Sequence, residues 1–334
     1  MKRIAILGGG SWGTALAIVL SRARAPHEIS LWIRDAALAE SIRRERENKV
    51  YLPGHKVPDA VLVTHDAAAA LENAGVVIGA IPSAHARSIY QRVQPFIEPG
   101  AAVVSATKGL EPATHARMSE VISQVLPRDF TPRFAVLSGP SFAKEAAEGQ
   151  PTAVVLASHD MAVANRLQKE FAGPSFRLYT NEDILGVELA GAMKNVIAIA
   201  AGACEGLGMG SNPLAALITR GLAEMTRLAV ALGARRETLS GLAGLGDLVL
   251  TCTGALSRNR HVGIELGKGR TLRETLAGMK MVAEGVGTAG ALLAIASQAG
   301  LELPITEQVN AILHEGKSPR DAIRSIMERP LKRE

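Results

Sequence analysis

The sequence predicts an α/β protein: a doubly wound parallel sheet in its N-terminal part and an all-helical C-terminal part. In the first half, short runs of apolar and β-branched residues alternate with helical patterns. After about residue 181 the strand pattern stops, and long segments rich in Ala, Leu and Ile follow. Because 334 residues exceed one typical domain of roughly 100 to 200, we expect an α/β domain at 1–181 and a helical domain at 182–334.

Eight short segments have the composition of buried strands. Apolar runs of this length, separated by helical patterns, are typical of a parallel sheet with helices on both faces. In chain order the segments are RIAIL, EISLW, VLVT, VVIGAI, AVVSAT, FAVLSG, TAVVLAS and FRLYT.

Three glycines between the first predicted strand and the first predicted helix carry a ligand-binding pattern. Gly8, Gly10 and Gly13 fit G-x-G-x-x-G, and the helix begins near Ser11. Such spacing allows a tight turn, lets backbone amides approach a pyrophosphate and aims the positive end of the helix at it. A purely structural turn is the alternative. The context favours a Rossmann-type domain that binds NAD or NADP.

The end of the second predicted strand bears on which dinucleotide binds. About 20 residues after the glycines such folds contact the adenosine ribose, and here that position holds Arg34 followed by Asp35. An arginine suits the extra phosphate of NADP, whereas an acid suits the free hydroxyls of NAD. The pair leaves the preference open, although Arg34 favours NADPH.

Start and stop signals mark helices in the second half. Asn212 followed by Pro213 predicts a cap and a proline at the first helical position, and Gly233 predicts the end of that helix. Ser318 followed by a proline, with Asp321 three residues on, predicts another start.

Composition and charge disfavour several classes of protein. Two cysteines, Cys204 and Cys252, are too few for a disulfide framework, and no spacing of Cys or His indicates a metal site. The net charge of +5 is spread among acidic residues without a basic block, so we expect no nucleic-acid partner. We find no signal peptide and no apolar run of about 18 residues, and therefore expect a cytoplasmic protein without a membrane span.

Lys194 is the only charged residue between Glu188 and Glu205, in LAGAMKNVIAIAAGA. A lysine in so apolar a helix is costly unless it faces a cleft or a partner. Desolvation is expected to lower its pKa towards a range useful for proton transfer to a carbonyl oxygen. The alternative is a lysine whose charged end reaches the surface.

Asp247 is the only charge in TLSGLAGLGDLVLTCTGALS, residues 238–257. Its carboxylate could orient Lys194 or a substrate hydroxyl, because an ionised carboxylate only accepts hydrogen bonds. Capping or bracing a glycine-rich loop is the alternative.

A cluster of polar and basic residues suits a phosphate, and a separate lysine lies where open α/β sheets bind ligands. Ser257, Arg258, Asn259 and Arg260 form a compact set of donors, although a solvated basic helix start would look the same. Lys108 follows a predicted strand, where open α/β sheets bind ligands, although lysine is common there for other reasons.

Taken together, the motifs resemble the bacterial NAD(P)-dependent glycerol-3-phosphate dehydrogenases over nearly the whole chain. The segments that carry the resemblance, in the family's order, are GGGSWGTALA, NKVYLPG, ATKGLE, SGPSFAKE, ELAGAMKNVIAIAAG, GLAGLGDLVLTCTG, SRNR and VAEGVGT.

The resemblance implies reversible hydride transfer between NAD(P)H and dihydroxyacetone phosphate, giving sn-glycerol 3-phosphate for glycerophospholipid synthesis. It implies that Lys194 donates the proton in reduction and accepts it in oxidation, with Asp247 beside it, and that no metal takes part. The implied substrate positions are Lys108, Gly139, Ser141, Lys194, Asp247, Ser257, Arg258 and Asn259. The implied cofactor positions beyond Gly8 and Gly10 are Ser11, Trp12, Arg34, Lys108, Ala143, Arg258, Val282 and Glu284.

Further expectations follow from these implied positions. The site should draw on residues of both halves, and a homodimer is expected from the family and from the Ala- and Gly-rich helical half. The NKVYLPG segment, residues 48–54, has no assigned role beyond a conjectured mobile cover near the cofactor. A related dehydrogenase of β-hydroxyacids and a nicotinamide-binding regulator without turnover remain alternatives.

Overall fold

The computed structural model describes residues 2–126, 133–279 and 281–331. The chain forms two compact units, Met1–Glu188 and Leu189–Glu334. The boundary predicted after residue 181 falls in the short connection between the last strand, which ends at Asn181, and a long helix that begins at Ile184. That boundary stays a prediction.

The first unit contains an eight-stranded sheet, and all eight predicted strands are confirmed. The strands lie in the order β3-β2-β1-β4-β5-β6-β7-β8. Their bounds are β1 Lys2–Leu7, β2 His27–Trp32, β3 Leu62–Thr64, β4 Ala74–Gly79, β5 Ala102–Ser105, β6 Arg133–Ser138, β7 Thr152–Ala157 and β8 Phe176–Asn181.

One strand pair departs from the predicted all-parallel sheet. β6 and β7 pair antiparallel, whereas the other neighbouring strands are parallel. A parallel return along a six-residue strand must span about 20 Å. The connection holds only the six-residue helix Ala143–Glu148, which is about 9 Å long. The chain therefore does not return, and β7 runs back beside β6.

Alternate side chains of the central strands build two apolar layers. Ile4 and Ile6 of β1 belong to the buried cluster on one face, and Ala5 and Leu7 belong to the cluster on the other. This period of two buries both faces of the sheet, as its near-continuous apolar runs predict.

Helices connect the strands and cover the sheet. Asp35, Asp66 and Asp160 each cap one of them by accepting a hydrogen bond from a backbone amide. The helices are α1 Ser11–Leu20, α2 Ala36–Glu45, α3 Ala67–Leu71, α4 Ala86–Val93, α5 Met118–Val125, α6 Ala143–Glu148 and α7 Met161–Phe171. Short 3-10 turns lie at Ser83–His85 and Gln94–Phe96.

The described part of the second unit is helical throughout, as predicted. Helix α8 begins in the first unit and continues into the second. The helices are α8 Ile184–Gly206, α9 Ser211–Ala231, α10 Arg236–Ser240, α11 Asp247–Thr253, α12 Arg258–Gly267, α13 Leu272–Ala277, α14 Glu284–Gln298, α15 Pro304–His314 and α16 Pro319–Met327. A π-helical turn at Leu242–Gly246 leads into α11.

Helix α8 is long and apolar enough to cross a membrane by length and composition alone. It has 23 residues, its most apolar window has a mean hydropathy of 1.6, and 89% of that window is buried within the protein. The core helix of a soluble protein passes the same test, so this is weak evidence for a span. Its polar members, Glu188, Lys194 and Asn195, explain why no uninterrupted apolar run appears in the sequence.

Close backbone contact joins α8 to α12. A Cβ on Gly202 would collide with the Arg260 carbonyl oxygen, and a Cβ on Gly263 would collide with the Ile199 carbonyl oxygen. The two helices can approach this closely only because both positions lack a side chain. The small residues of α8 therefore serve helix packing.

Two of the three predicted helix signals in the second unit are confirmed. Ser318 caps α16, its hydroxyl accepting from the Asp321 amide, and Gly233 follows α9 with a φ of 100°. Asn212 is not the cap predicted for α9, because Gly210 occupies that position. Pro213 stands at the third helical position and not at the predicted first one, where it is tolerated because the amides of the first turn have no intrahelical acceptor.

Candidate active site

The glycine loop between β1 and α1 has the geometry expected of a pyrophosphate cradle. Gly8 has a φ of 118°, a Cβ there would collide with the Ala80 carbonyl oxygen, and a Cβ on Gly13 would collide with the Gly8 carbonyl oxygen. The fold itself therefore requires these two glycines. A Cβ on Gly10 would meet no atom of the described residues within 4 Å, so the space beside Gly10 can take a ligand.

The start of α1 lies at this open space. Gly10 caps the helix without a side-chain hydrogen bond, and the partly buried Ser11 and Trp12 form its first turn. The first amides of a helix lack intrahelical acceptors and carry partial positive charge, which favours an anionic ligand. The structure thus brings together four predicted cofactor residues: Gly8, Gly10, Ser11 and Trp12.

Arg34 and Asp35 lie just after β2, and their side chains differ in whether they already have a hydrogen-bond partner. The Asp35 carboxylate accepts a hydrogen bond of 2.9 Å from the Leu38 amide and caps α2. Arg34 is exposed, and the described residues offer its guanidinium no hydrogen bond or ion pair. The acid therefore has a structural task, whereas the arginine remains available to a phosphate.

The ends of β5 and β6 bring together three predicted substrate residues. The Lys108 Nζ donates to the Gly139 carbonyl oxygen at 2.9 Å, and the Ser141 Oγ donates to the same oxygen at 2.9 Å. The Thr107 hydroxyl ties this edge to the end of β4, because it donates to the Ile81 carbonyl oxygen at 2.7 Å. All lie at carboxyl ends of parallel strands, where open α/β sheets bind ligands.

Trp12 and Ala143 meet on one small apolar cluster. Both pack against Ala15, Ile18, Leu52 and Ala147, which are buried. Ala143 is the first residue of α6, so this cluster places the start of α6 beside α1. Leu52 belongs to the NKVYLPG segment, which the sequence left without a role.

Lys194 and Asp247, the two predicted catalytic residues, are in direct contact. The buried Lys194 Nζ donates to Asp247 Oδ1 at 2.5 Å and to Thr251 Oγ1 at 2.8 Å. Asp247 begins α11 and Thr251 lies one turn later. The glycine-rich segment is a π-helical turn and not the loop assumed for Asp247. A side-chain nitrogen held by a carboxylate and a hydroxyl in a buried site keeps a defined position.

Ser257, Arg258 and Asn259 lie at the start of α12. Ser257 caps the helix, its Oγ accepting from the Arg260 amide at 3.2 Å. Arg258 is exposed, yet nearby protein desolvates its guanidinium and lowers its pKa, while the charge of Glu284 opposes the shift. The Arg260 guanidinium pairs with Glu205, so it leaves the predicted group of phosphate donors.

The Asn259 side chain links α12 to the start of α14. Its Nδ2 donates to Asn195 Oδ1 at 2.9 Å, and its Oδ1 accepts from the Gly285 amide at 2.9 Å. Glu284 precedes Gly285 as the first residue of α14. Val282, two residues earlier, is 50% exposed. The side-chain amide is thus largely engaged within the protein.

Two residues of this unit escaped the sequence analysis. Thr251 contacts Lys194, and Asn195 connects Lys194's helix to Asn259. The only local signal was the spacing of Asp247 and Thr251, which places both on one face of a helix.

The chain matches family models over most of its length. Residues 3–164 match the N-terminal model, and residues 183–324 the C-terminal model, of NAD-dependent glycerol-3-phosphate dehydrogenase. It is 54% identical over 331 residues to the glycerol-3-phosphate dehydrogenase (NAD(P)+) of Koribacter versatilis, covering 99% of this chain and 98% of that one. It is 56% identical to the enzyme of the same name from Acidobacterium capsulatum, covering 99% of each chain.

A solved structure is similar over the same length. The crystal structure of glycerol-3-phosphate dehydrogenase from Coxiella burnetii has a TM-score of 0.92 and 40% identity, covering 98% of this chain and 99% of that one.

Proposed function

This chain belongs to the NAD-dependent glycerol-3-phosphate dehydrogenase family, and on that premise we propose that it reversibly reduces dihydroxyacetone phosphate to sn-glycerol 3-phosphate. It is an oxidoreductase that uses NAD or NADP. The observation that carries the assignment of its chemistry is the contact among Lys194, Asp247 and Thr251.

Lys194 is the proton donor in the proposed reaction. When the ketone is reduced, negative charge grows on its oxygen, and an ammonium stabilises that charge and gives up a proton to it. Asp247 and Thr251 fix the Nζ by two hydrogen bonds, so the proton is presented from one position. In the reverse direction the neutral amine accepts the hydroxyl proton.

The start of α12 is proposed to hold the substrate phosphate. Its first amides lack intrahelical acceptors, and the exposed Arg258 stands at the first helical position. A guanidinium can form two parallel hydrogen bonds to a phosphate. Binding energy from the phosphate then positions the carbonyl without taking part in the bond changes.

The first unit is proposed to hold the dinucleotide, which supplies the hydride when bound. The open space beside Gly10 and the start of α1 fit the pyrophosphate, because a side chain at Gly10 would occupy the space that the pyrophosphate needs. Lys108, Gly139, Ser141 and Ala143 remain predicted ligand contacts.

NADPH is the proposed preferred cofactor. Arg34 is exposed and has no hydrogen-bond or ion-pair partner in the part of the chain that the structure describes, whereas the Asp35 carboxylate caps α2. A carboxylate already holding a backbone amide is less available to the ribose hydroxyls of NAD.

We also propose a cytoplasmic homodimer. Exposed apolar side chains of the helical unit support a second copy as partner, among them Met209, Leu245, Val249 and Leu256. Both cysteines are free thiols, which suits a reducing compartment. Light scattering after size exclusion tests the dimer, and fractionation of the native cells tests the compartment.

The direct test of the activity is loss of nicotinamide absorbance with purified protein and dihydroxyacetone phosphate, run in parallel with NADPH and NADH. Rapid loss with a faster rate for NADPH is the expected result. Turnover of a β-keto acid, but not of the phosphorylated ketone, would support the β-hydroxyacid alternative. Cofactor binding without any turnover would support the regulator.

A further inference from the structure

Asn48 is a fully buried side chain that contacts the glycine loop. Its Nδ2 donates to the Gly9 carbonyl oxygen at 2.8 Å and to Thr14 Oγ1 at 2.8 Å. Its exposed fraction is 0%. A buried amide with both donors engaged has one stable orientation, because leaving either donor unpaired costs free energy.

The chain around Asn48 fixes which end of the amide faces the loop. Asn48 Oδ1 accepts from the Tyr51 amide at 3.1 Å, and the Asn48 carbonyl oxygen accepts from the Leu52 amide at 2.8 Å. Leu52 is 3% exposed and lies in the cluster with Ala15 and Ile18. The NKVYLPG segment is therefore anchored at Asn48 and Leu52, and the amide nitrogen is left to face Gly9.

The Gly9 carbonyl determines the direction of the next amide. A peptide bond is rigid and planar, and in its trans form the C=O and N–H point in opposite directions. No peptide bond in the described ranges is cis. Since Asn48 holds the Gly9 oxygen on one side, the Gly10 N–H points to the other. That amide donates to no group among residues 2–126, 133–279 and 281–331.

We propose that Asn48 is a positioning residue for dinucleotide binding: it holds the Gly9 carbonyl so that the Gly10 N–H is directed at the pyrophosphate before the cofactor arrives. Glycines are flexible, and without a partner the Gly9–Gly10 peptide could rotate. An amide fixed in advance binds an anion without the cost of ordering it. The inference rests on the proposed use of NAD(P)H.

Two variants test this role by direct NADPH binding, followed by cofactor fluorescence without substrate. Asn48→Leu has nearly the same size but donates nothing, and Asn48→Asp replaces the donor with a carboxylate. We expect each to raise the dissociation constant of NADPH about tenfold or more. Binding of adenosine 2′-phosphate, which lacks the pyrophosphate, is expected to stay unchanged.

Thr14→Val is the matched control. It removes the other hydrogen bond of the Asn48 amide and leaves the bond to Gly9, so NADPH affinity should stay within about twofold of the wild type. Thermal unfolding compares the stability of all three variants. Unchanged NADPH affinity in both Asn48 variants overturns the proposal. Equal weakening of NADPH and adenosine 2′-phosphate overturns it as well.

A measurement on the wild-type protein decides the question where the Asn48 variants do not fold. In ¹⁵N-glycine-labelled protein, inorganic pyrophosphate and NADPH should both shift the Gly10 amide resonance. A Gly10 resonance that NADPH leaves in place overturns the proposal. Failure of the wild type to bind NADPH would instead contradict the proposed function, so the two failures are distinguishable.

Discussion

The glycine loop and the Lys194 cluster reach a ligand-ready geometry by opposite routes. The loop is local and made of backbone: Gly8 to Gly13 span six residues, and absent side chains create its open space. The cluster consists of the side chains of Lys194, Asp247 and Thr251. Lys194 precedes Asp247 by 53 residues and Thr251 by 57 residues in the chain. A local backbone motif can be recognised from its spacing, whereas a side-chain cluster exists only once helices pack.

The two regions should also fail differently when they are altered. The loop depends on space and peptide orientation, so its variants should change cofactor affinity. The cluster depends on a paired buried charge, so its variants should change both stability and the rate of the chemical step. Three predictions, beginning with the largest expected effect, sharpen this contrast, and a fourth concerns the ion pair of Glu111 with Arg87.

Breaking the buried pair should give the largest effect on stability. Lys194→Met removes the cation that pairs with the buried Asp247 carboxylate, which should lower the free energy of unfolding by about 3–5 kcal/mol. Lys194→Met combined with Asp247→Leu removes both charges and should recover most of that loss without restoring turnover. Urea unfolding measures the free energy of unfolding of the single and the double variant, and an activity assay measures their turnover. A double variant no more stable than the single would show that the pair is not energetically coupled.

A substitution that pushes α8 away from α12 should move the backbone of α8 and, with it, Lys194. Gly263→Ala places a methyl group against the Ile199 carbonyl oxygen, which should cost about 1–3 kcal/mol and reduce kcat/KM for dihydroxyacetone phosphate. Gly287→Ala is the control, since a Cβ there meets no atom within 4 Å among the residues that the structure describes. The control should be stabilised by about 0.5–1 kcal/mol. Equal stability of the two variants would argue against close helix contact.

Removing the arginine after β2 should alter the cofactor preference alone. Arg34→Ala should raise the KM for NADPH about tenfold and leave the KM for NADH and the rate at saturation nearly unchanged. Asp35→Asn should instead weaken the cap of α2 by about 1 kcal/mol or less. A parallel loss of NADH affinity in Arg34→Ala would contradict a role confined to the 2′-phosphate.

The dependence of stability on pH in the acidic range should reveal the ion pair between Arg87 and Glu111, which lies three residues after Lys108. A two-point hydrogen bond from Arg87, with both distances 2.8 Å, holds the pKa of Glu111 below its usual range, and burial opposes the shift. A lowered folded pKa gives stability that is complete above the unfolded pKa, about 4.3, and that is lost as pH falls through the folded pKa.

Glu111→Gln should therefore lower neutral-pH stability by about 1–3 kcal/mol and flatten the loss of stability below about pH 4.3. The control, Glu40→Gln, breaks the exposed pair with Arg43 and should change stability by less than about 1 kcal/mol. Parallel pH profiles for Glu111→Gln and the wild type would contradict the lowered pKa.

The sequence predicted where the strands and helices lie better than it predicted how the strands pair. All eight strands were found, because short β-branched runs are strong local signals. The antiparallel β6–β7 pair was missed, since it depends on how far the Ser138–Thr152 connection can reach. Asn212 was misplaced as a cap because a proline fits anywhere in the first helical turn.

The candidate site shows the same division. Lys194 and Asp247 stood out as isolated charges, and the structure places them in contact. Thr251, Asn195 and Asn48 are ordinary polar residues in sequence, and their partners lie far along the chain. Which polar groups meet in a buried site is decided by packing, which no local pattern records.

The most direct measurement is a single turnover with the Lys194→Met enzyme. NADPH-loaded protein is mixed with excess dihydroxyacetone phosphate, and the loss of nicotinamide absorbance gives the rate of hydride transfer. We expect this rate to fall about 10²- to 10⁴-fold relative to the wild type, with the dissociation constant of NADPH unchanged. A rate equal to that of the wild type, in a folded variant that binds NADPH normally, would contradict the role of Lys194 as the proton donor.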